Sequence, residues 1–348
     1  MEAVEHTLGE SATPSPELPE VEVTFVVIGY NEARTLKDCL RSVKGARRQL
    51  AVPSEILYVD GGSQDESMRI AREEGVDRLL GGDRRRKAAE NRNLGLRHAR
   101  GRVIQFVDGD MSLAADWPEE ALRLLDTFPE VGAVCGILKE SRPGLLHRAL
   151  EIDWFPEEGP VRHCGGAAMY RREILMHFGG FPEHLDYGEE PYLCWRVRNE
   201  LHMQIYQSLR PMARHDLGYA SWGDYWRRNV RVGATYAEIA YWCAGSSDPL
   251  WFREAVSHTA WAGVMIVLLL ALLLGSLPVK AVSLACALAI LAAKAGRMVM
   301  KGHSPLLSIV YAFHTYFAKL PLSLGELQWV FRRLVAGLSR KRRGKQGQ

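Results

Sequence analysis

Two carboxylates one residue apart, Asp108 and Asp110, follow the apolar run Val103–Val107 with a glycine between them. A near-continuous apolar run predicts a strand buried on both faces, so both acids are expected at a strand end. Two carboxylates in this arrangement can bind one divalent cation, and Mg²⁺ favours one or two carboxylates together with substrate phosphates. Such a cation neutralises the charge that builds on a leaving diphosphate. The pair is common by chance, and its place after a buried strand is what indicates a metal site.

Two other apolar runs end in the same way. Val23–Ile28 is followed by Gly-Tyr-Asn-Glu at 29–32, and Ile56–Val59 is followed by Asp-Gly-Gly-Ser-Gln-Asp at 60–65. Aspartate and glycine are ordinary turn residues, and Asp65 alone could simply cap a helix. Three acid-bearing turns at one edge of a sheet are harder to explain by turn formation, and they predict a binding site there.

The elements that position these acids alternate along the chain. Charged stretches with helical spacing, at 33–47, 65–74 and 87–99, separate the apolar runs up to about residue 137. This alternation predicts parallel βαβ units in an open, doubly wound α/β sheet, which binds ligands at the carboxyl ends of its strands. Neither a P-loop nor a G-x-G-x-x-G pattern follows the first strand, which argues against a P-loop nucleotidase and a Rossmann dehydrogenase.

Composition excludes further classes. The 348 residues include 44 Lys and Arg and 41 Asp and Glu, a net charge of +3, which argues against a nucleic-acid partner. Six cysteines without a C-x-x-C pair exclude a disulfide scaffold and a zinc ribbon, and suit a reducing compartment. Residues 1–20 contain five Glu and no Lys or Arg, which predicts a disordered acidic tail rather than a signal peptide. The domain that follows is therefore expected in the cytoplasm.

The C-terminal third predicts a membrane anchor. Residues 255–279 contain no charged side chain and are long enough to span a bilayer, and 281–293, between two lysines, predict a return span. A buried helical hairpin of a soluble domain is the alternative. Residues 304–338 predict a helix lying in the interface, and the basic segment 339–345 is expected on the cytoplasmic face.

As an ordered set, these motifs resemble those of the family 2 glycosyltransferases of the GT-A fold. The resemblance extends over about residues 22–235. Its motifs lie at 28–32, 60–65, Lys87 with 91–95, 108–111, 165–171, 188–190 and 193–196.

The resemblance implies a nucleotide-sugar donor linked to UDP or GDP. Five positions would bind its nucleotide: Glu32, Asp60, Lys87, Asn91 and Asp108. Together with Asp110, Asp108 would also bind Mg²⁺ or Mn²⁺.

On the acceptor side, the resemblance implies a loop at Gly165 and Gly166 and a catalytic motif at Glu189 and Glu190. Glu190 would be the general base that deprotonates the acceptor hydroxyl, with Glu189 beside it, and direct attack would invert the anomeric carbon. From the residues alone, an acidic first helical turn explains the pair equally well. His215 could be a metal ligand or contact phosphate, although a lone histidine is more often structural.

The segment 222–231 is basic and aromatic. It lacks the Gln-x-x-Arg-Trp motif of processive membrane relatives, which favours single-sugar transfer over polymer synthesis. Arg227, Arg228 or Arg231 could bind the diphosphate instead, since guanidinium suits phosphate. The alternative, an interfacial helix whose arginines meet lipid phosphates, is compatible with that role.

The predicted organisation is an acidic tail (1–20), a catalytic domain (21–219), interfacial amphipathic helices (220–253), two transmembrane helices (254–300), and an interfacial helix with a basic cytoplasmic tail (301–348). The predicted function is metal-dependent, inverting transfer of one sugar to a lipid-linked or membrane-adjacent acceptor at the inner (plasma) membrane, in envelope polysaccharide or glycolipid synthesis. A nucleotidyltransferase acting on sugar phosphates and a non-catalytic membrane scaffold are the alternatives.

Overall fold

The computed structural model of the chain describes residues 21–154, 158–216 and 221–345, with side chains up to residue 336. The predicted acidic tail, 1–20, lies outside the described residues. The nine strands are β1 (Val23–Gly29), β2 (Ser54–Asp60), β3 (Arg78–Gly81), β4 (Val103–Asp108), β5 (Met111–Leu113), β6 (Val131–Glu140), β7 (Gly159–Val161), β8 (Met169–Arg171) and β9 (Gln204–His215).

Twelve α-helices are found in the same described residues. They are α1 (Leu36–Gln49), α2 (Ser67–Glu73), α3 (Ala88–His98), α4 (Trp117–Thr127), α5 (Leu145–Glu151), α6 (Arg172–His177), α7 (Glu189–Glu200), α8 (Trp222–Cys243), α9 (Phe252–Leu274), α10 (Leu277–Met300), α11 (Pro305–Phe317) and α12 (Lys319–Lys345).

One mixed sheet contains all nine strands, in the order β3-β2-β1-β4-β8-β6-β9-β5, with β7 paired to β9. β1 runs parallel to both β2 and β4, and the register places Gly29 opposite Asp60 and Ile28 opposite Asp108. The carboxyl ends of these three strands therefore meet at one edge. Every residue of β1 is buried, as expected for a strand covered on both faces. The predicted α/β architecture is confirmed.

Two helices, α9 and α10, are long and apolar enough to cross a membrane. Their mean hydropathies are 2.1 and 1.7, and only 6% of each apolar window is buried within the protein. The first apolar run was expected to continue to residue 279, but α9 ends at Leu274. The reason is local: Pro278 lies in the first turn of α10, where proline is favoured, so the chain turns at Gly275 and Ser276.

The single interfacial helix expected over 304–338 is two helices, α11 and α12. In α12 the Glu326 carboxylate is buried, 2.7 Å from Nδ1 of His258 and accepting a 2.9 Å hydrogen bond from Thr259. A charged residue that interrupts the apolar pattern in sequence thus faces α9 rather than water.

α12 also packs closely against α8. Glycines on both helices allow the backbones to meet. A Cβ at Gly233 would lie 2.0 Å from the Leu322 carbonyl oxygen, and one at Gly325 would lie 1.9 Å from that of Val230. Small residues permit such close helix crossings.

Candidate active site

A cavity of about 270 Å³ opens at the carboxyl ends of β1 and β4. Three acids, four arginines and a histidine line it. Its lining residues are Ile28, Gly29, Tyr30, Glu32, Arg85, Arg86, Ala88, Asn91, Arg92, Asp108, Gly109, Asp110, His215 and Arg228.

The loops after β1 and β2 are held together by side chains of the second loop. Ser63 Oγ accepts from the backbone of Asn31 at 2.8 Å, Ser67 Oγ from that of Glu32 at 2.9 Å, and Asp65 Oδ2 from that of Ala33 at 2.9 Å. These bonds fix the turn that places Glu32 in the cavity. The Asp-Gly-Gly-Ser-Gln-Asp segment therefore positions the site.

Asp60 has a structural place in the same loop. It is fully buried, and its Oδ2 accepts hydrogen bonds from the backbone of Gly62 at 2.8 Å and Ser63 at 2.7 Å. It was expected at the nucleotide, but it does not line the cavity. The reason is that its carboxylate closes the loop on itself, as aspartate does in tight turns.

Glu32 lies among acids. Burial, followed by the nearby Asp110 carboxylate, raises the pKa of Glu32 to about 7, against the lowering effect of a hydrogen bond from Thr35. A carboxyl group with this pKa changes its charge near neutrality. It is thus sensitive to any cation that binds beside Asp108 and Asp110.

The chemistry of Asp108, Asp110 and His215 fits a divalent cation. Oδ2 of Asp110 lies 3.3 Å from Nε2 of His215, whereas its buried Oδ1 has no hydrogen-bond partner among the described residues. Burial lowers the pKa of His215, but the hydrogen bond with Asp110 and the negative charges of Asp110 and Asp108 together outweigh this, so the net shift is upward. An unpaired buried carboxylate oxygen beside a second carboxylate and an imidazole is a suitable ligand set for Mn²⁺ or Mg²⁺.

Arg92, which the sequence reasoning did not single out, connects both halves of the site. Its side chain is 4% exposed, and its guanidinium donates to Asp108 at 2.8 Å and to Glu189 at 2.5 Å. Although burial lowers the pKa of Arg92, the two carboxylates raise it above its ordinary value. The buried Arg92 guanidinium thus joins the predicted metal site to the predicted catalytic motif. Its only sequence signal is a basic residue inside the Asn-Arg-Asn segment.

Arg85 and Arg86 were also not predicted, because the basic run 84–87 matches no phosphate-loop pattern. The Arg85 guanidinium lies 3.4 Å above the centre of the Tyr30 ring, and both residues line the cavity. Arg86 is bound to Asp83 at 2.5 Å, and its buried Nη1 has no hydrogen-bond partner among the described residues. These two side chains supply cationic donors to the cavity lining.

Of the other residues predicted to bind the donor, some line the cavity and some do not. Asn91 and Arg228 line the cavity, whereas Lys87 binds Asp186 at 2.7 Å and His184 O at 3.1 Å, away from it. Lys87 is the residue before α3, and its side chain reaches the loop that precedes α7.

The three arginines of α8 have different surroundings, and Arg227 and Arg228 are adjacent in the helix and point in different directions. Only Arg228 reaches the cavity. Arg227 pairs with Asp224 at 2.6 Å on the surface, and Arg231 lies over the Tyr187 ring at 5.6 Å.

Glu189 and Glu190 occupy the first turn of α7 and differ in their surroundings. Glu189 pairs with Arg92, whereas Glu190 is 5% exposed, and its Oε1 accepts from the Cys164 backbone at 2.8 Å. The thiols of Cys164 and Cys194 lie 3.2 Å and 3.0 Å from the same oxygen. Burial raises the pKa of both thiols well above its ordinary value, so they remain protonated donors.

The glycines after Cys164 bring the acceptor-side loop against the metal site. Gly165 adopts a φ of 81°, which favours glycine. A Cβ on Gly166 would lie 2.7 Å from the Arg92 guanidinium and 3.0 Å from Asp108. This loop therefore links Glu190 to Asp108 in space.

Comparison with known proteins agrees with this geometry. Residues 24–179 match the family model described as Glycosyl transferase family 2. Glycosyltransferase AglE of Haloferax volcanii is 35% identical over 192 residues, which are 52% of this chain and 61% of that protein. Undecaprenyl-phosphate 4-deoxy-4-formamido-L-arabinose transferase of Klebsiella pneumoniae is 30% identical over 135 residues, or 37% of this chain and 40% of that protein. The chain thus covers less than two thirds of the length of each relative.

Among solved structures, mannosyltransferase PcManGT from Pyrobaculum calidifontis, in complex with GDP-Man and Mn²⁺, is similar with a TM-score of 0.65. It is 21% identical in sequence, and the match covers 91% of this chain and 90% of that one. Residues 24–179 thus match glycosyltransferase family 2, and the chain shares the GT-A fold of the solved mannosyltransferase.

Proposed function

We propose that this protein transfers a single sugar, with inversion, from a UDP- or GDP-linked donor to a lipid-linked acceptor. The observation that carries the proposal is the charge pattern of the cavity. Asp108, Asp110 and His215 form one wall, and four arginines lie around them. Carboxylates suit a divalent cation and guanidinium groups suit phosphate, so the two sets together match a metal-bound diphosphate.

The donor would bind with its diphosphate between the acids and the arginines. Asp108, Asp110 and His215 would hold Mn²⁺ or Mg²⁺, which when bound offsets the negative charge of the leaving diphosphate. Arg85, held over Tyr30, and Arg228 are placed to donate to phosphate oxygens. The Pyrobaculum structure contains GDP-Man and Mn²⁺, a donor and an ion of the same classes.

Glu190 is proposed as the general base. Three donors, one backbone amide and two thiols, converge on its Oε1 and fix the carboxylate beside the acceptor-side loop. Oε2 would accept the proton of the acceptor hydroxyl as the acceptor oxygen bonds to the anomeric carbon and the bond to the diphosphate breaks. Glu189, paired with Arg92, is proposed to hold Arg92 and Asp108 in place.

The acceptor is proposed to lie in the inner membrane, with α9 and α10 as two spans and the catalytic domain in the cytoplasm. Both helices have the length and apolarity required, and their side chains are mostly exposed. The Klebsiella relative is named for an undecaprenyl-phosphate substrate. Confinement of enzyme and acceptor to one membrane raises their effective concentration.

The test is a donor screen on membranes containing the full chain with Mn²⁺, scoring nucleoside diphosphate and labelled lipid. Glu190→Gln is expected to keep donor binding and lose transfer by about 10²–10⁴-fold, the usual contribution of a general base. Glu200→Gln is the matched control, since Glu200 lies at the other end of α7 in a surface pair with Arg196 at 2.8 Å. Transfer that survives Glu190→Gln but not Glu189→Gln would contradict the assignment, and pyrophosphate release would indicate a nucleotidyltransferase.

A further inference from the structure

An apolar groove of about 570 Å³ lies between α10, α11 and the start of α8, outside the charged cavity. Its size is within the roughly 300–1,000 Å³ typical of pockets that bury a small ligand. The groove is lined by Leu146, Trp222, Leu288, Leu291, Ala292, Ala295, Ile309, Val310, Ala312, Phe313, His314 and Phe317.

The two helical walls of this groove complement each other. Leu288, Leu291, Ala292 and Ala295 recur at the spacing of one helix face on α10, and the two alanines leave room beyond the two leucines. On α11 the facing residues include aromatic side chains, among them Phe313. Small residues opposite rings create a channel rather than a closed contact.

One side of the groove is open where α10 exposes its apolar surface. Leu288 is 57% exposed and Ile309 is 59% exposed, whereas Ala295 and Ala312 are buried at the floor. Because α10 has the length and composition of a membrane span, hydrocarbon rather than water is expected at the open side. A flexible apolar chain can therefore enter the groove sideways from the bilayer.

Polar contacts join the floor of the groove to the charged cavity. His314 lies 2.7 Å from the Tyr225 hydroxyl on α8, and Arg228, three residues further along that helix, lines the cavity. The Nδ1 atom of His314 is buried and has no hydrogen-bond partner among the described residues. On the other side, Tyr311 donates to Asp153 at 2.5 Å, and the next residue, Trp154, stacks on the metal-site His215 at 6.1 Å.

A cationic side chain lies next to the groove. Lys294, adjacent to the floor residue Ala295, places its ammonium 5.0 Å from the centre of the Tyr311 ring. A lysine near the end of a spanning helix lies at headgroup depth, where lipid phosphates are found. The groove thus has a cation at one edge, an apolar channel, and a connection to the sugar-transfer cavity.

We infer that this groove binds the hydrocarbon chain of a polyprenyl-linked acceptor, with the acceptor's phosphate near Lys294. The inference rests on the proposed function and identifies the class of its acceptor. It also assigns the groove as the part of the protein that selects that acceptor from bulk phospholipid.

Photolabelling tests chain binding without any sugar donor. The full chain in phosphatidylethanolamine and phosphatidylglycerol nanodiscs is irradiated with a polyprenyl phosphate that carries a diazirine on the isoprene unit next to the phosphate. Labelled peptides are expected from 288–295 and 309–317, and unlabelled polyprenyl phosphate should compete. Phosphatidylglycerol with a diazirine on its acyl chain should label these peptides weakly, and equal labelling would overturn the inference.

Substitutions at two adjacent positions of α10 provide the matched comparison. Ala292→Trp fills the groove and is expected to reduce labelling by about tenfold, because the indole ring takes the space that the hydrocarbon chain would occupy. Ala293→Trp adds the same side chain at an exposed position outside the lining residues and should leave labelling within about twofold. Equal labelling of the two variants would also overturn the inference. Labelling that follows this pattern in a chain that turns over no donor would instead reject the proposed function alone.

Discussion

Replacing Arg92 with methionine tests whether its ion pairs with Asp108 and Glu189 stabilise the site. The side chains of Arg92 and Glu189 are 4% and 12% exposed, so the substitution leaves a nearly buried carboxylate without its cation. Removing one partner of a buried ion pair costs about 3–5 kcal/mol. Asp108, the second partner, is 27% exposed and partly solvated, which favours the lower end, about 3 kcal/mol.

A loss of this size is measurable as a fall in melting temperature. For a domain of 150–250 residues, each kcal/mol corresponds to about 2–4 °C, so Arg92→Met should lower the melting temperature by roughly 6–12 °C. The assay is thermal unfolding of the detergent-solubilised chain in EDTA, followed by circular dichroism. EDTA keeps added cation from compensating for the loss of the guanidinium.

Arg102 provides a matched control because it also joins two carboxylates, Glu22 and Asp126, but on the surface with 43% of its side chain exposed. Surface pairs contribute about 0–1 kcal/mol, so Arg102→Met should melt close to the unaltered protein. In the Arg92→Met background, Glu189→Gln should recover part of the loss because it removes the unpaired charge. Equal melting of the two arginine variants, or no recovery in the double variant, would refute the reasoning.

Three further predictions concern the metal ligand Asp110, the pKa of Glu32, and the contacts of Glu326 in α12. Mn²⁺ at a hundred times its dissociation constant should stabilise the protein by about 2.7 kcal/mol. Asp110→Asn should remove both this stabilisation and sugar transfer. A Mn²⁺-induced rise in melting temperature that persists in the variant would contradict the assignment of Asp110 as a metal ligand. The pKa of Glu32 is raised to about 7, so the folded protein binds the proton of this carboxyl group more tightly than the unfolded chain does. The stabilisation that comes from this proton is present at low pH and is lost as the pH rises through 7. In EDTA, Glu32→Gln should therefore melt at a higher temperature than the unaltered protein at pH 8 and at a similar temperature at pH 5. An equal difference in melting temperature at the two pH values would contradict this reasoning. Glu326→Ala should destabilise the solubilised protein by about 1–3 kcal/mol, since it leaves His258 and Thr259 without their buried acceptor, and an unchanged melt would show that α12 is held by other contacts.

Local sequence patterns were enough to predict the parallel strands β1, β2 and β4 and the acids that follow them. β1, β2 and β4 are short, continuous apolar runs, and the acids that follow them come from positions that parallel pairing brings together. Glu32, Asp108 and Asp110 therefore share one cavity, as expected. The two apolar helices were predicted for the same reason, because uninterrupted apolar length is a local property.

Contacts between distant parts of the chain could not be predicted in this way. Arg92 belongs to the Asn-Arg-Asn segment, but its role as a buried ion-pair partner depends on Glu189, which lies 97 residues later in the sequence. Similarly, Glu190 is enclosed by Cys164, 26 residues earlier, and no spacing rule indicates this. Asp60 was expected at the nucleotide from its type and position, and that role stays a prediction; the structure shows that its carboxylate accepts hydrogen bonds from the backbone two and three residues away.

The contact between α8 and α12 has a consequence for which acceptors can react. Gly233 and Gly325 bring the two backbones together without intervening side chains, and Arg228, which lines the cavity, lies little more than one turn from Gly233. This backbone contact would hold Arg228 at a fixed distance from α12. If the acceptor lies in the membrane, as proposed, the height of the reaction centre would then exclude molecules whose reactive hydroxyl projects too far, or not far enough, whatever their chemistry.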